Sequence, residues 1–585
     1  MRQDDSILIA GAGPTGLAVA IELTRMGLPV RLIDKAEHPA QYSQALVVQA
    51  RTLEQFERYG IAEQAVALGR KLLRATAFSE GKKIVSFELD RIPGRYPYVL
   101  FLPQNETERL LTGHLRSLGV EIERGTELLS FENSEKGITA QLRHNSGAAA
   151  GVTQSIPSRW LIGCDGAHSA VRKGMNMPFE GDTVGLDFLL GDFELTGPDV
   201  PGDELLVHLH HGDVVFVGRL SDKLHRLIVA LHREPGAAHG ETGAPSGARQ
   251  PTIADFQAVI DRAGARITVQ SPVWISPFHI NQRKAAAYRV DSAFLAGDAA
   301  HIHSPVAGQG MNTGIQDAAN LAWKLAAVAD GASAELLDTY NEERGAVGDA
   351  LLKITSRGLS VVTTANPLLE RIRDLVVPAL TGLASIQNIL AGFVSETAIE
   401  YRGSSIVADY GGAGSLRAGD RVPNPDVELA GGKLGRLLDP LKTGRPLALG
   451  IGIPDMRRIR ARLPQATVMA LRGAEAILGT EMEAPPDAAG DSAGYESVSA
   501  EFPAAVAASA ASLAATAAAA RAAAPKAIPP VAPASPVGLL TPEIAALFGS
   551  ENRILVIRPD GYLGFRGSLD DLSRLDDYAG LTGLA

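Results

Sequence analysis

Cysteine is almost absent from this 585-residue chain, with Cys164 the single one. That excludes an internal disulfide framework, a Cys-x-x-Cys redox pair and a thiolate metal cluster. It fits a reducing, cytoplasmic setting. Clustered positive charge is missing as well. The formal net charge is -11 and diffuse, which argues against nucleic acid or an anionic membrane as partner, because phosphate binding needs grouped Lys and Arg. No signal peptide is expected, since Met1 to Ser6 lead straight into the strand-like Ile7-Leu8-Ile9-Ala10. The one membrane suspect is the uncharged run from Leu375 to Phe393. It holds Pro378, Thr381, Gly382, Ser385, Gln387 and Asn388, and that many polar groups are costly in lipid. A buried helical hairpin is expected there, and no membrane association.

What is present is ordinary for a globular protein: 45% hydrophobic and 21% charged residues. The length exceeds one core and implies roughly two to four packed regions. From Ile7 to Asp34 the pattern reads strand, glycine turn, helix, strand. Leu17, Ala20, Ile21 and Leu23 mark the helix face and Val30-Arg31-Leu32-Ile33 the second strand. This is the start of an α/β fold with a Rossmann-like parallel sheet. From about Ala75 to Leu102, and from about Asp182 to Ile280, short runs such as Val214-Val215-Phe216-Val217 and Arg226-Leu227-Ile228-Val229 are joined by turns like His211-Gly212-Asp213. They predict an inserted antiparallel sheet. Helical patterning resumes at Asn312 and runs to about Ile399, followed by glycine-rich loops from Gly411 to Gly419. A tract from about Ala484 to Pro536 is mostly Ala, Pro, Ser and Gly, and reads as a surface insertion unable to bury enough apolar area. Ile554-Leu555-Val556-Ile557, the turn Pro559-Asp560-Gly561 and Tyr562-Leu563-Gly564-Phe565 then close a C-terminal domain.

Gly11-Ala12-Gly13-Pro14-Thr15-Gly16 is a GxGxxG fingerprint lying between a strand and a helix. Gly11 permits the tight turn, Gly13 lets the backbone approach a pyrophosphate, and Gly16 lets the helix pack on the strand. Asp34, followed by Lys35, ends the second strand where a carboxylate meets adenosine ribose hydroxyls. The fingerprint alone does not choose between FAD and NAD. A second block is an apolar strand ending in Gly297-Asp298-Ala299-Ala300-His301, then Pro305, Gly308-Gln309-Gly310-Met311-Asn312 and a helix through Asp317, Asn320, Leu321, Trp323 and Leu325. A third runs from Leu161 through Asp165-Gly166 to Arg172. Leu102-Pro103-Gln104 with Arg109, and Ala50-Arg51-Thr52-Leu53-Glu54, complete the set.

These blocks, in this order between residues 7 and about 345, resemble the class A flavoprotein monooxygenases, the aromatic hydroxylases with the para-hydroxybenzoate hydroxylase fold. The C-terminal part is similar to the thioredoxin-like domain of larger members such as phenol and polyketide hydroxylases; having no cysteine, it could not exchange disulfides. The resemblance implies an FAD-binding domain over 1–178 (with strands of the substrate sheet near 75–102), a substrate-binding β-sheet domain over 179–287, completion of the FAD domain over 288–347, a helical segment over 348–403, and a thioredoxin-like domain over 404–585 that carries the insertion 484–536. It implies that Asp298 bonds the ribityl chain of FAD, that Gln104 and Arg109 lie along the cofactor, that Asp165 bridges it and the nicotinamide path, and that Arg51 sits near the diphosphate or ribityl chain. Gln44 departs from the arginine many members carry.

The implied reaction uses NADH or NADPH to reduce FAD. O2 then adds at the flavin C4a position, and the hydroperoxide passes a hydroxyl to a phenolic or polyketide-type aromatic substrate in a site that must exclude water. Backbone N–H groups around Gly308 and Gly310, beside the rigid Pro305, can stabilise negative charge on a reduced ring. No side-chain base is evident: where phenol hydroxylases can place a carboxylate, this chain has Leu46, Val47, Val48 and Gln49. Val47, Gln49, Phe216, Trp274 and Phe278 are candidate pocket residues, with ordinary core packing the competing reading. The small aromatic substrate and O2 are the expected partners, and a homodimer the candidate assembly. A reductase or halogenase on the same scaffold, an oxygenase of a non-phenolic substrate, and a flavin-binding sensor are the alternatives. His301 and His303 lack further ligands for a metal, so none is expected; His208 and His210, beside His211, share a strand face and could border the pocket.

Overall fold

The computed structural model describes residues 6–39, 45–232, 251–303, 308–364, 366–381, 383–429, 433–453, 455–472, 537–550 and 552–585. The insertion expected over 484–536 lies outside them. Ile7–Ala10 is the centre of a six-stranded sheet ordered Arg289–Val290, Ala293–Leu295, Trp160–Gly163, Ile7–Ala10, Val30–Asp34, Ile122–Arg124. It pairs in parallel with both neighbours, Ile7 opposite Val30 on one side and Trp160 on the other. Being covered on both faces, its residues are all buried, as an all-apolar short strand requires. The helix Pro14–Arg25 begins with proline, whose missing N–H costs nothing in a first turn, and buries Leu17, Ala18, Val19, Ile21 and Leu23. The helix Gly310–Ala329 packs across it. The approach is so close that a Cβ on Gly314 would stand 2.2 Å from Thr15 Oγ1.

A second, eight-stranded sheet is ordered His301–Ile302, Thr268–Ala285, Phe179–Thr196, Leu224–His232, Asp213–Arg219, Glu204–His210, Arg74–Ser79, Lys82–Glu88. The expected antiparallel sheet needs one correction. Glu204–His210 runs parallel to Arg74–Ser79, with Glu204 opposite Arg74. More than a hundred residues of chain separate these two strands, so no tight hairpin constrains their direction, and the sheet is mixed.

The helical region comprises Asp338–Val362, Pro367–Thr381 and Ala384–Val394. The hairpin expected to be buried is half open: Leu375 is 75% and Ile389 65% exposed. Pro367–Thr381 is covered mainly on the face that meets the edge strand Lys82–Glu88, and the two helices bend by 102° at their junction. Among the described residues no single helix is long and apolar enough to cross a membrane, although this bent pair passes on length and composition.

The C-terminal part is another eight-stranded mixed sheet with apolar clusters on both faces. The expected strand–turn–strand is present as Arg553–Ile557 and Leu563–Gly567, antiparallel, with a bulge between Val556 and Ile557. Its turn, Pro559-Asp560-Gly561, is pressed against the helix Ala50–Tyr59: Arg51 donates to the Asp560 carbonyl at 2.6 Å and Arg58 to that of Pro559.

Candidate flavin and substrate site

The glycine fingerprint forms the turn its spacing predicts. Gly11 has φ +100°, and a Cβ on it would stand 2.3 Å from the Cys164 carbonyl oxygen; on Gly16 it would stand 1.9 Å from that of Gly11. Gly13 has nothing within 4 Å of that position, so the start of the helix Pro14–Arg25 faces open space where a pyrophosphate can meet backbone N–H groups. Asp34 accepts from Ala12 N at 2.7 Å and Ala36 N at 2.8 Å and pairs with Arg124 at 3.3 Å. It therefore ties the glycine loop to the end of the second strand; Lys35 beside it is exposed. Asp165 uses Oδ2 to accept from Ala170 N at 2.7 Å and Val171 N at 3.2 Å, while its Oδ1 is buried with no partner. A buried acceptor without a donor is costly unless a ligand supplies one.

From Ser292 to Ala300 every residue is buried except Asp298. The bend that exposes it depends on Gly297, whose φ is +60° and whose Cβ would stand 2.5 Å from Thr15 Oγ1. Asp298 opens into a recess walled by protein; burial pushes its carboxyl above the usual range, and His301 works against that rise. Asp317 holds the bend from beneath. It accepts from Gly297 N at 2.9 Å, His301 Nε2 at 2.7 Å and Arg344 Nε at 2.6 Å. Burial opposes its charge, but Arg344 and His301 outweigh burial and hold it at about 2. His301 also stacks on His303 with ring centroids 6.0 Å apart, so both histidines belong to this scaffold. Arg172 braces the same bend by donating to the carbonyls of Ala299 and Ala167.

The residues that open the helix Gly310–Ala329 pack against the short strand Val47–Val48. Gly308 has φ +62°, and a Cβ there would stand 2.6 Å from the Val47 Cβ. Asn312 Nδ2 donates to the carbonyls of Val47 and Gly308, both at 2.8 Å, and its Oδ1 accepts from Gln49 N at 2.9 Å. Gly310 opens the helix and Met311 packs on the main core. Val47, Gln49, Gly308, Gly310 and Asn312 are thus brought together. Val47 lies opposite Phe101 in a short strand pair, and a Cβ on Gly218 would stand 2.3 Å from Phe101 Cε2. Phe101 therefore links Val47 to the strand Asp213–Arg219, which carries Phe216. Phe216 and Phe278 pack on one cluster with Phe188, Leu209, Val214, Ala230 and Leu359.

Other residues of the sequence-predicted site lie elsewhere. Trp274 donates Nε1 to Asp192 at 2.7 Å, within the buried Asp192–Arg226 pair; it shares the sheet face of Phe278 but lies four residues further along the strands, outside that cluster. Arg109 is exposed and pairs with Glu106 one turn away at 2.8 Å. Gln104 bridges the loop and its own helix, accepting from Ala45 N and donating to Glu108. Arg51, expected near the cofactor, is held by Glu54 at 2.7 Å, the Asp560 carbonyl and the face of the Tyr562 ring at 5.0 Å. It belongs to the contact with the C-terminal sheet. Gln44 and Pro305 lie outside the described residues.

Residues 4–355 match the family described as FAD binding domain. Pentachlorophenol 4-monooxygenase of Sphingobium chlorophenolicum is 34% identical over 76% of this chain and 80% of its own length. The chain belongs to the class A flavoprotein monooxygenases. Another member, 6-methylpretetramide 4-monooxygenase of Streptomyces rimosus, is 37% identical over 65% of this chain and 69% of its own. Among solved structures, an anhydrotetracycline hydroxylase from Streptomyces rimosus superposes with a TM-score of 0.71 at 26% identity, covering 98% of both chains.

In this family member a further acid, which the motifs did not indicate, lies against the start of the helix Gly310–Ala329. Glu396 is buried and has φ +59°; it accepts from Thr313 Oγ1 at 3.2 Å and from Gln316 Nε2 in the first turns of the helix Gly310–Ala329. Burial pushes its carboxyl up to about 8, with Arg344 and the two hydrogen bonds opposing. The protonated form has an acceptor at hand, since Gln316 Oε1 is buried without a partner and the amide can turn. The folded chain then holds a proton that the unfolded chain releases above the ordinary glutamate pKa. The cost of ionising Glu396 is absent below about pH 4.5 and grows until pH 8. Glu396→Gln is accordingly expected to gain stability over the parent as pH rises through that window, by a few kcal/mol at most; parallel pH-dependences of the two unfolding midpoints would refute this.

Proposed function

We propose that this chain uses NADH or NADPH, O2 and bound FAD to hydroxylate a phenolic or polyketide-type aromatic compound. The observation that carries the reading is the open Cβ position at Gly13, at the start of the helix Pro14–Arg25, together with the unpartnered buried Oδ1 of Asp165 and the exposed Asp298 at the end of an otherwise buried strand. The substrates in the relatives' names, pentachlorophenol and 6-methylpretetramide, support the substrate class. Bound FAD would supply hydride acceptance and oxygen activation, chemistry that side chains lack.

The chain's own groups have distinct tasks. Gly13 N–H and the helix start hold phosphate, Asp34 orders the turn, and the orphan Oδ1 of Asp165 and the Asp298 carboxylate take hydroxyl donors of the cofactor. The N–H groups that open the helix Gly310–Ala329 favour negative charge near them. Val47, Gln49, Phe216 and Phe278 border the substrate and keep water out. The C-terminal unit is proposed to be thioredoxin-like. In its sheet Leu563–Gly567, Arg553–Ile557, Leu447–Ile451 and Thr467–Arg472 are consecutive neighbours, the last two parallel and joined through a helix. Its task is to brace the FAD domain.

The test is oxidation of NADH and NADPH by the yellow holoprotein under air, across simple phenols and polycyclic aromatics, with catalase present. Substrate-stimulated oxidation with a product heavier by one oxygen is expected. A flavin-loaded chain that none of these compounds stimulates would overturn the aromatic substrate class.

A further inference from the structure

We propose that the rim of the eight-stranded sheet carries a divalent-cation site formed by Glu80, His210 and His211, with Glu370 orienting the second histidine. Glu80 lies in the turn between Arg74–Ser79 and Lys82–Glu88; His210 ends Glu204–His210, and His211 starts the turn into Asp213–Arg219. The parallel pairing of Leu209 with Ser79 sets these two turns side by side. Consecutive strand residues point to opposite faces, but His211 has φ +43°. That left-handed step returns its ring to the side of His210, with centroids 4.5 Å apart. One ligand atom from each of Glu80, His210 and His211 then lies within 4.8 Å of the others.

The donor set is two imidazoles and one carboxylate, with His210 Nδ1 at 2.9 and 3.1 Å from the two Glu80 oxygens. A borderline divalent ion such as zinc favours that combination and fills its remaining position with water. Glu370, from the helix Pro367–Thr381, lies 3.2 Å from His211 Nδ1. A carboxylate that takes the Nδ1 proton leaves Nε2 as the ligand and fixes the ring. The other Glu370 oxygen is buried and has no partner. A cation here would join two hairpin tips and, through Glu370, clamp the half-exposed helix Pro367–Thr381 to the sheet edge. None of this depends on the flavin or on the substrate.

The test uses the full-length, FAD-loaded chain, freed of metal by a chelator and titrated with zinc alone by calorimetry. Cobalt serves as a second probe, read by its visible absorption. Saturable binding of one ion per chain in the micromolar range is expected. His210→Ala and His211→Ala should abolish it, and Glu370→Gln should weaken it about 10- to 100-fold, each with the flavin spectrum of the parent as proof of folding. Absence of saturable binding, or binding by the His210→Ala/His211→Ala double variant equal to that of the parent, would overturn the site.

Discussion

Glu343→Ala is expected to destabilise the chain by about 3–5 kcal/mol, the range for breaking a buried ion pair by removing one partner. Glu343 is fully buried and accepts from Arg558 Nη1 and Nη2 at 2.7 and 2.9 Å, from Lys324 Nζ at 2.8 Å and from Asn320 Nδ2 at 2.6 Å. Without it, Lys324 and Arg558 keep Asp560, bonded to Arg558 and Asn320, as their counter-charge among the described residues. Burial already lowers Lys324 to about 8 against the pull of Glu343. A lysine whose folded pKa is below its unfolded value contributes stability as pH rises through that gap. In Glu343→Ala the lower edge of the gap moves down, because the attraction that kept Lys324 charged is gone, so part of the lost stability should return on raising the pH from 6 to 8. Because Arg558 belongs to the C-terminal hairpin, the first transition in denaturant should be undocking of that sheet, seen as earlier proteolysis between the two regions. An unchanged denaturant midpoint would show that the network is replaceable.

The distances involved explain which parts of this arrangement could be read from the sequence. Gly11, Gly13 and Gly16 were legible because each answers a backbone constraint set within six residues, and Asp298 because the apolar strand before it and the glycine beside it are contiguous. Glu343 and Arg344 were not. They are neighbours on one helix yet serve two networks, one reaching Arg558 and the other Asp317, and charges in mid-helix usually read as a solvated face. A sequence signal of close packing there is Gly348 on the same helix, where a Cβ would stand 2.6 Å from Tyr288 Oη. Arg51 shows the same limit. The family resemblance implies a place near the cofactor, whereas the backbone partner that holds it, the Asp560 carbonyl, comes from a turn 509 residues further on. The parallel pairing of the strands at 74 and 204 and the exposed face of the helix Pro367–Thr381 were equally out of reach. Both are set by which surfaces finally meet, and local periodicity carries no record of that.

Asp298→Ala is expected to yield a folded chain that has lost most of its FAD, with the dissociation constant raised about 10- to 150-fold. That is the equivalent of a charge-assisted hydrogen bond of about 1.5–3 kcal/mol. The case for a cofactor effect without a folding effect lies in how the bend is held. Gly297, Asp317, His301 and Arg344 form the bonded scaffold, while the Asp298 carboxylate bonds none of the described residues and faces the recess. Because it makes no bond that holds the fold, the melting midpoint of the FAD-free variant should match that of the FAD-free parent. Asp298→Asn keeps an acceptor of the same shape and should retain an intermediate affinity, which a purely steric role would not produce. Asp317→Asn is the contrast: it should lower the midpoint with and without FAD, because His301 and Arg344 lose the charge that holds them beneath the bend. Parent-like FAD occupancy in purified Asp298→Ala would remove this carboxylate from the cofactor site and leave Asp165 as the acidic residue to test next.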